Sequence, residues 1–358
     1  MLSQFTVDQQ IINQEHLDLN LMKEVPESHV WLSPDASPTP GSDLVPVINL
    51  KDPNAMKLVG HACKSWGIFH ITNHGVPTNH LKEIEAASRE LYSLPIQQKL
   101  KAARAPDGFS GYGVAKISPY FPKLMWSEGF TIIGSPYEHA RKLWPNQYTT
   151  LCDLIKEYPE EMNKLAKKLM WLMLGSLGVT MEDIKWAKSQ GSSSPLQLFS
   201  YPPCLDPHRA MGLAAHTDST LLTILYQNNT SRLQAHKEGT GWVTVPPIPG
   251  AVVVNVGDLL HILSNGLYPS VLHRAMVNGT QHRLSVIYLY GPPYNVQIST
   301  VAKLTSHNQP LLYLPVTWSE YLSTKAKHFC WIMEIIPLRV CIALPTVFIL
   351  QSIREIHK

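Results

Sequence analysis

Residues 270–290 read SVLHRAMVNGTQHRLSVIYLY, two apolar-rich runs on either side of Asn278-Gly279. An Asn-Gly pair between alternating runs is a strong hairpin signal. VLHRAMV (271–277) and HRLSVIYL (282–289) are therefore predicted to pair as neighbouring strands. Side chains alternate between faces along a strand. A turn over residues 278–280 then sets His273 opposite Ser285, with Arg283 one same-face step away.

Working outward, short apolar or alternating runs recur at 195–201, 220–226, 241–245, 251–257 and 295–300. Turn residues separate them: NN (228–229), PG (249–250), NG (265–266) and GPP (291–293). Many short strands so punctuated indicate a sandwich or barrel. The front half has a different texture. A helix is predicted from Pro53, with Met56, Val59, Ala62, Cys63 and Trp66 on one face, followed by an alternating strand in GIFHITNHG (67–75). A second helix runs from Thr78 to near Pro95, 106–122 reads as a Gly/Pro/aromatic loop, and a long helix covers about 153–178. The fold class is α+β with a mainly β core and N-terminal helices packed against it.

Composition narrows the function. Of 358 residues 44% are hydrophobic and 16% charged, which suits a sizeable core and excludes a disordered chain. The net charge is only +3, from 30 basic and 27 acidic residues, with no basic run interleaved with aromatics. Nucleic-acid binding through phosphate neutralisation is set aside on that ground. Five scattered cysteines form no CxxC, and the N-terminus carries acidic residues with no apolar leader, so a reduced, cytoplasmic protein is expected. Residues 330–350 (CWIMEIIPLRVCIALPTVFIL) are apolar, but Glu334, Pro337, Arg339 and Pro345 interrupt them. They are read as an atypical tail and not as a membrane span, since buried charges there are costly.

The chemistry lies between 196 and 290. In His216-Thr-Asp218 the side chains at i and i+2 point the same way, so an imidazole and a carboxylate reach one point from one strand end. With His273 they supply two histidines and one carboxylate, the facial arrangement of non-haem Fe(II) oxygenases. Arg283 and Ser285 beside that face suit a carboxylate held by a guanidinium fork. Taken singly each of these residues reads as structural; together they read as a site. His261 in DLLHIL, His70 and His74 are assigned to structural roles, and Asp258 to a turn or cap.

At these residues the chain resembles the plant 2-oxoglutarate/Fe(II)-dependent dioxygenases over roughly 43–329. The matching pieces are WGIFHITNHGV (66–76), SYPPC (200–204), HTD (216–218), GDLLHILSNG (257–266), VLHRAMVN (271–278) and RLS (283–285). Within that family MWSEGFTI (125–132), 206–230 and 241–275 resemble the gibberellin 3-beta-dioxygenases. The resemblance implies a double-stranded β-helix, or jelly roll, with His216, Asp218 and His273 as iron ligands. It also implies that Arg283 and Ser285 clamp the distal carboxylate of 2-oxoglutarate and that Tyr201 contacts the same cosubstrate. The implied reaction consumes O2 and 2-oxoglutarate, releases succinate and CO2, and hydroxylates a C19 gibberellin at C3 on the β face, with ascorbate supportive. A monomer with a small-molecule substrate is expected.

The domain organisation read from the chain is an extended segment (1–42), a helical N-terminal dioxygenase region (43–190), the jelly-roll core (191–300), a C-terminal continuation (301–329) and the apolar tail (330–358). Two departures from the family pattern stand out. Phe199 replaces the usual Asn two residues before the tyrosine, and an apolar run replaces a polar helix after KAKHF (325–329). Because sister enzymes share the catalytic pieces, a dioxygenase acting on another gibberellin position or a flavonoid-like substrate stays open, and the two departures keep open a catalytically impaired copy acting as a binding protein.

Overall fold

The computed structural model describes residues 17–31, 44–106, 108–144, 148–184, 186 and 194–334. Most of the predicted N-terminal extended segment and the tail from 335 onward lie outside the described residues. In chain order the strands are β1 (Val47–Asn49), β2 (Ile68–Thr72), β3 (Gly111–Gly113), β4 (Glu128–Ile132), β5 (Leu196–Tyr201), β6 (Met211–His216) and β7 (Leu222–Gln227). They continue as β8 (Leu233–Lys237), β9 (Gly241–Val245), β10 (Val252–Val256), β11 (His273–Met276), β12 (Arg283–Tyr290), β13 (Gln297–Ile298) and β14 (Val316–Thr317). The helices are α1 (Ala55–Ser65), α2 (Thr78–Ser93), α3 (Ile96–Leu100), α4 (Tyr137–Leu143), α5 (Tyr148–Gly175), α6 (Asp258–Leu263) and α7 (Trp318–Glu334).

An eight-stranded sheet in the order β1-β2-β10-β7-β12-β5-β4-β3 faces a four-stranded sheet, β6-β11-β8-β9. These two sheets form the jelly roll. Period-two alternation divides each strand of the large sheet between two environments. On β12 the side chains of Leu284, Val286, Tyr288 and Tyr290 join the core formed with α1, α2 and α5. Arg283, Ile287 and Leu289 face the space between the sheets, and alternation puts Ser285 on the same face. On β10, Val252, Val254 and Val256 face the helices, whereas Val253 and Asn255 face inward. The helices thus seal one face of the sheet, and the other lines a cavity.

The predicted hairpin at 271–289 does not form. β11 pairs with β6 and β8 in the small sheet, and β12 pairs with β5 and β7 in the large one. Asn278 turns the chain, its Oδ1 accepting from the amides of Thr280 and Gln281 at 2.9 and 3.1 Å. The turn forms at Asn278, but it carries the chain from one sheet to the other. Closing a jelly roll requires such crossings, and a local turn signal cannot distinguish them from a hairpin. His273 consequently lies opposite His216, and Ser285 opposite Phe199 and Gln227.

Other differences are smaller. The run at 295–300 contributes only β13, and β4 emerges from MWSEGFTI, where no strand was predicted. The expected loop at 106–122 contains β3. Among the described residues, no helix is long and apolar enough to cross a membrane. A buried ion pair anchors α3 to the sheet: Lys99 Nζ donates to Glu128 Oε2 on β4, which also accepts from the Tyr112 hydroxyl. Stranding one charge of a buried pair is costly, so Lys99→Met is expected to lower the unfolding free energy by about 3–5 kcal/mol in a urea titration; a change below about 1 kcal/mol would be the value for an exposed pair and would contradict this anchoring.

Candidate active site and metal centre

The antiparallel pairing of β6 and β11 sets His216 and His273 side by side, their ring centroids 4.3 Å apart. Asp218, just beyond the end of β6, places Oδ1 3.8 Å from His216 Nε2 and 3.7 Å from His273 Nε2. Among the described residues this is the one group of three His, Cys, Asp or Glu side chains close enough to share a metal ion.

Orientation of the three side chains is fixed from behind. The Nδ1 atoms of His216 and His273 donate to the carbonyls of Ala214 and Val271 at 2.8 and 3.1 Å. That tautomer, assigned from the hydrogen-bond network, leaves each Nε2 lone pair facing the centre. Asn255 on β10 donates to Asp218 Oδ2 at 3.1 Å and so aims Oδ1 at the two imidazoles. Burial, reinforced by His273, pushes the His216 imidazole down to about 3, keeping it neutral and able to ligate. Burial opposes ionisation of Asp218, but the two histidines and Asn255 outweigh it, and the carboxyl sits below its ordinary range. One carboxylate and two neutral imidazoles form a donor set suited to a divalent first-row metal.

Across the cavity lies a second polar cluster. Arg283 is 1% exposed, and its Nη2 donates to Gln227 Oε1 at 3.2 Å. The guanidinium carbon lies 4.8 Å from the centre of the Tyr201 ring, which faces it across the β12–β5 pair. Arg283 Nε and Nη1 and Ser285 Oγ are buried without a hydrogen-bond partner among the described residues. Buried donors left unmatched cost free energy, and a guanidinium presents a planar fork. An anion of carboxylate geometry satisfies both conditions.

His216, Asp218, His273, Asn255, Arg283 and Tyr201 line one cavity of about 570 Å³, which also takes in Phe199. The Phe199 ring stacks on Tyr201 with centroids 6.1 Å apart and planes 25° from parallel. It fits because Gly129 lies opposite on β4, where a Cβ would approach the ring to 3.0 Å.

The structure brings together His216, Asp218 and His273 on one side and Arg283, Ser285 and Tyr201 on the other. His261 is a satisfied interior histidine, bonded to the Tyr268 carbonyl and the Tyr313 hydroxyl, both at 2.8 Å. His70 and His74 bond the carbonyls of Pro246 and Gly250. Asp258 begins α6, but its side chain makes no cap. It is fully buried and accepts from Lys325, Tyr321 and Thr217. Sequence reasoning missed Asn255 and Gln227. Their signal was present: each is an amide in an otherwise apolar strand, VVVNV or LTILYQ.

Comparison with known proteins identifies the family. The 2OG-Fe(II) oxygenase superfamily matches residues 192–292, and the N-terminal region described as that of a non-haem dioxygenase in morphine synthesis matches 44–150. The chain is 57% identical to gibberellin 3-beta-dioxygenase 1 of Pisum sativum over 89% of its own length and 88% of the relative's. It is 55% identical to gibberellin 3-beta-dioxygenase 1 of Arabidopsis thaliana, over 87% and 90%. Among solved structures it resembles JOX2 in complex with 2OG, Fe and JA, with a TM-score of 0.74, 30% identity, and coverage of 88% of this chain and 91% of that one. A rice dioxygenase for auxin oxidation superposes with a TM-score of 0.67 at 25% identity, covering 80% and 96%.

The depressed His216 imidazole has a consequence for stability. Between pH 6.5 and about 3 the unfolded chain binds a proton at this residue that the folded chain does not, so stability falls as the pH drops through that window. His29, pushed down to about 4 by burial, acts in the same direction. For His216 the expected slope reaches about 1.4 kcal/mol per pH unit, and urea titrations of metal-free wild type and His216→Gln at pH 7, 6 and 5 isolate it. Equal slopes for the two proteins would contradict the assignment.

Proposed function

The chain belongs to the 2OG-Fe(II) oxygenase superfamily, and we propose that within it this protein catalyses Fe(II)- and 2-oxoglutarate-dependent 3-beta-hydroxylation of C19 gibberellin precursors, with succinate and CO2 as coproducts. The observation that carries the choice of substrate is the 57% and 55% identity to gibberellin 3-beta-dioxygenases over nearly the whole of both chains. The cavity is consistent with it: about 570 Å³ lies within the usual range for small-molecule sites. Its apolar lining includes Ile117, Ile133, Leu289 and Leu322.

In this reading His216, Asp218 and His273 hold Fe(II) through Nε2, Oδ1 and Nε2. Arg283 and Ser285 bind the distal carboxylate of 2-oxoglutarate, and Tyr201 packs against the guanidinium. Bound Fe(II) and 2-oxoglutarate supply the activation of O2 that an unreactive C–H bond requires. Everything else is positioning. Carbonyl-anchored imidazoles and the Asn255-tethered carboxylate hold the three side chains that would ligate Fe(II) in one place. The Arg283 fork sets the cosubstrate's distance from the histidines. The apolar walls exclude water and hold the gibberellin skeleton, and the C–H bond they place nearest the metal is the one hydroxylated.

The direct test is to load the protein anaerobically with Fe(II) and 2-oxoglutarate, admit O2 with a C19 gibberellin, and score products by mass spectrometry. Succinate and 3-beta-hydroxylated product in equal amounts are expected; succinate with gibberellin hydroxylated elsewhere, or not at all, would contradict the substrate assignment. Asp218→Ala is expected to abolish turnover and metal binding. Arg283→Ala removes a charged hydrogen-bonding partner and should raise the 2-oxoglutarate KM by about 10–100-fold, with iron binding retained. Phe199→Asn, which returns an amide to the edge of the cradle, should lower that KM, and a rise would show that the phenyl ring itself supports the cosubstrate.

A further inference from the structure

Thr217, between two of the metal-site residues, is held by a buried charge pair that the proposed reaction does not use. Lys325 on α7 donates to the Thr217 carbonyl at 2.7 Å, to the Thr217 hydroxyl at 2.9 Å and to Asp258 Oδ2 at 2.6 Å. The Tyr321 hydroxyl donates to the same Oδ2 at 2.7 Å, and the Thr217 hydroxyl reaches it at 3.2 Å. Lys325 is 5% exposed and Asp258 0%. From the other side the Asp258 amide donates to the Asp218 carbonyl at 2.8 Å. Gly257, one residue earlier, must lack a side chain, because a Cβ there would stand 2.2 Å from the Thr220 carbonyl. The GD of GDLLHILSNG is thus explained by two contacts with the metal-ligand loop.

On α7, Trp318, Tyr321 and Lys325 follow helical spacing along one face, and all three bond to the 217–219 segment or to Asp258. Leu322, Ser323 and Ala326 on the adjoining face line the cavity. A buried ion pair adds little net stability over apolar residues of similar size, because desolvation offsets the attraction. What it supplies is a fixed register.

We propose that the Lys325–Asp258 pair is a positioning device that locks the C-terminal helix to the His216-Thr217-Asp218 strand end. Lys325 and Asp258 are positioning residues. They hold the main chain at Thr217 so that Nε2 of His216 and Oδ1 of Asp218 converge, and they set the α7 wall of the substrate cavity in the same act. Lys325 also precedes Cys330, where the apolar run begins, so the lock is complete before the sequence departs from the family pattern. The proposal rests on the metal-centre reading above and extends it to the residues that support the ligands.

The test measures Co(II) affinity by visible absorption, alongside thermal unfolding of the metal-free proteins, for wild type, Lys325→Met/Asp258→Asn, Lys325→Gln/Asp258→Asn and Asp218→Ala. Neutralising both members of the pair avoids a stranded charge, so the double variant is expected to melt near the wild type and yet to bind Co(II) about 10–100-fold more weakly, the usual effect of removing support behind a metal ligand. Wild-type affinity and spectrum in a folded double variant would overturn the lock while leaving the metal centre intact. Should the Lys325→Met/Asp258→Asn variant fail to fold, Lys325→Gln/Asp258→Asn decides, since it keeps polar side chains but is too short by one bond to hold the Thr217 carbonyl and the side chain at position 258 together: weakened Co(II) binding supports the proposal, and wild-type binding overturns it. Undiminished Co(II) binding by Asp218→Ala would overturn the metal-centre reading and the lock with it.

Discussion

Arg283 is a fully buried cation with no acidic side chain paired to it among the described residues, and much of the molecule is arranged around that fact. Its position on β12 makes it inward-facing by strand periodicity. Gln227 on β7 and Tyr201 on β5 reach it from the two flanking strands. Helices α2 and α5 pack on the opposite face of the same strand, so water has no access from behind. A guanidinium held this way costs free energy in the absence of an anion. In the proposed reading that cost is recovered when a carboxylate binds, which would turn a structural liability into selectivity for an acidic cosubstrate.

The metal-site residues obey a complementary constraint. They stand on the small sheet, across the cavity from Arg283, with β6 and β11 paired in the register that sets His216 against His273. Neither sheet alone contains a site. The distance between the carboxylate cradle and the imidazoles is set by how the jelly roll closes, and closure is enforced by the core between the sheets and by α7. Asn255 is notable in this respect, since it stands on the large sheet and tethers Asp218 beyond the end of β6. It joins the two layers at the metal centre itself.

Much of this was legible in the sequence, and the limits are physical. The residues at 216, 218, 273, 283 and 285 suggest a site only in combination, and alternation assigned Arg283 and Ser285 to one face. The route by which His273 meets Arg283 was not legible. Asn278-Gly279 has the same turn chemistry whether the chain reverses within a sheet or crosses between sheets, and only long-range pairing decides between them. The role of Asp258 was hidden for a related reason. An acidic residue after glycine at a helix start looks like a cap, and its partner, Lys325, lies far along the chain in an ordinary amphipathic helix. Glycines 129 and 257 were also unreadable in advance, because what they make room for comes from other strands.

In the proposed site one cavity holds a metal on the small sheet and a carboxylate on the large one. A crystal structure grown without oxygen from protein loaded with Mn(II) and 2-oxoglutarate tests it directly. The ion should lie on His216 Nε2, Asp218 Oδ1 and His273 Nε2, and the distal carboxylate on Arg283 and Ser285. An ion ligated elsewhere, or a 2-oxoglutarate that leaves Arg283 unpartnered, would contradict it.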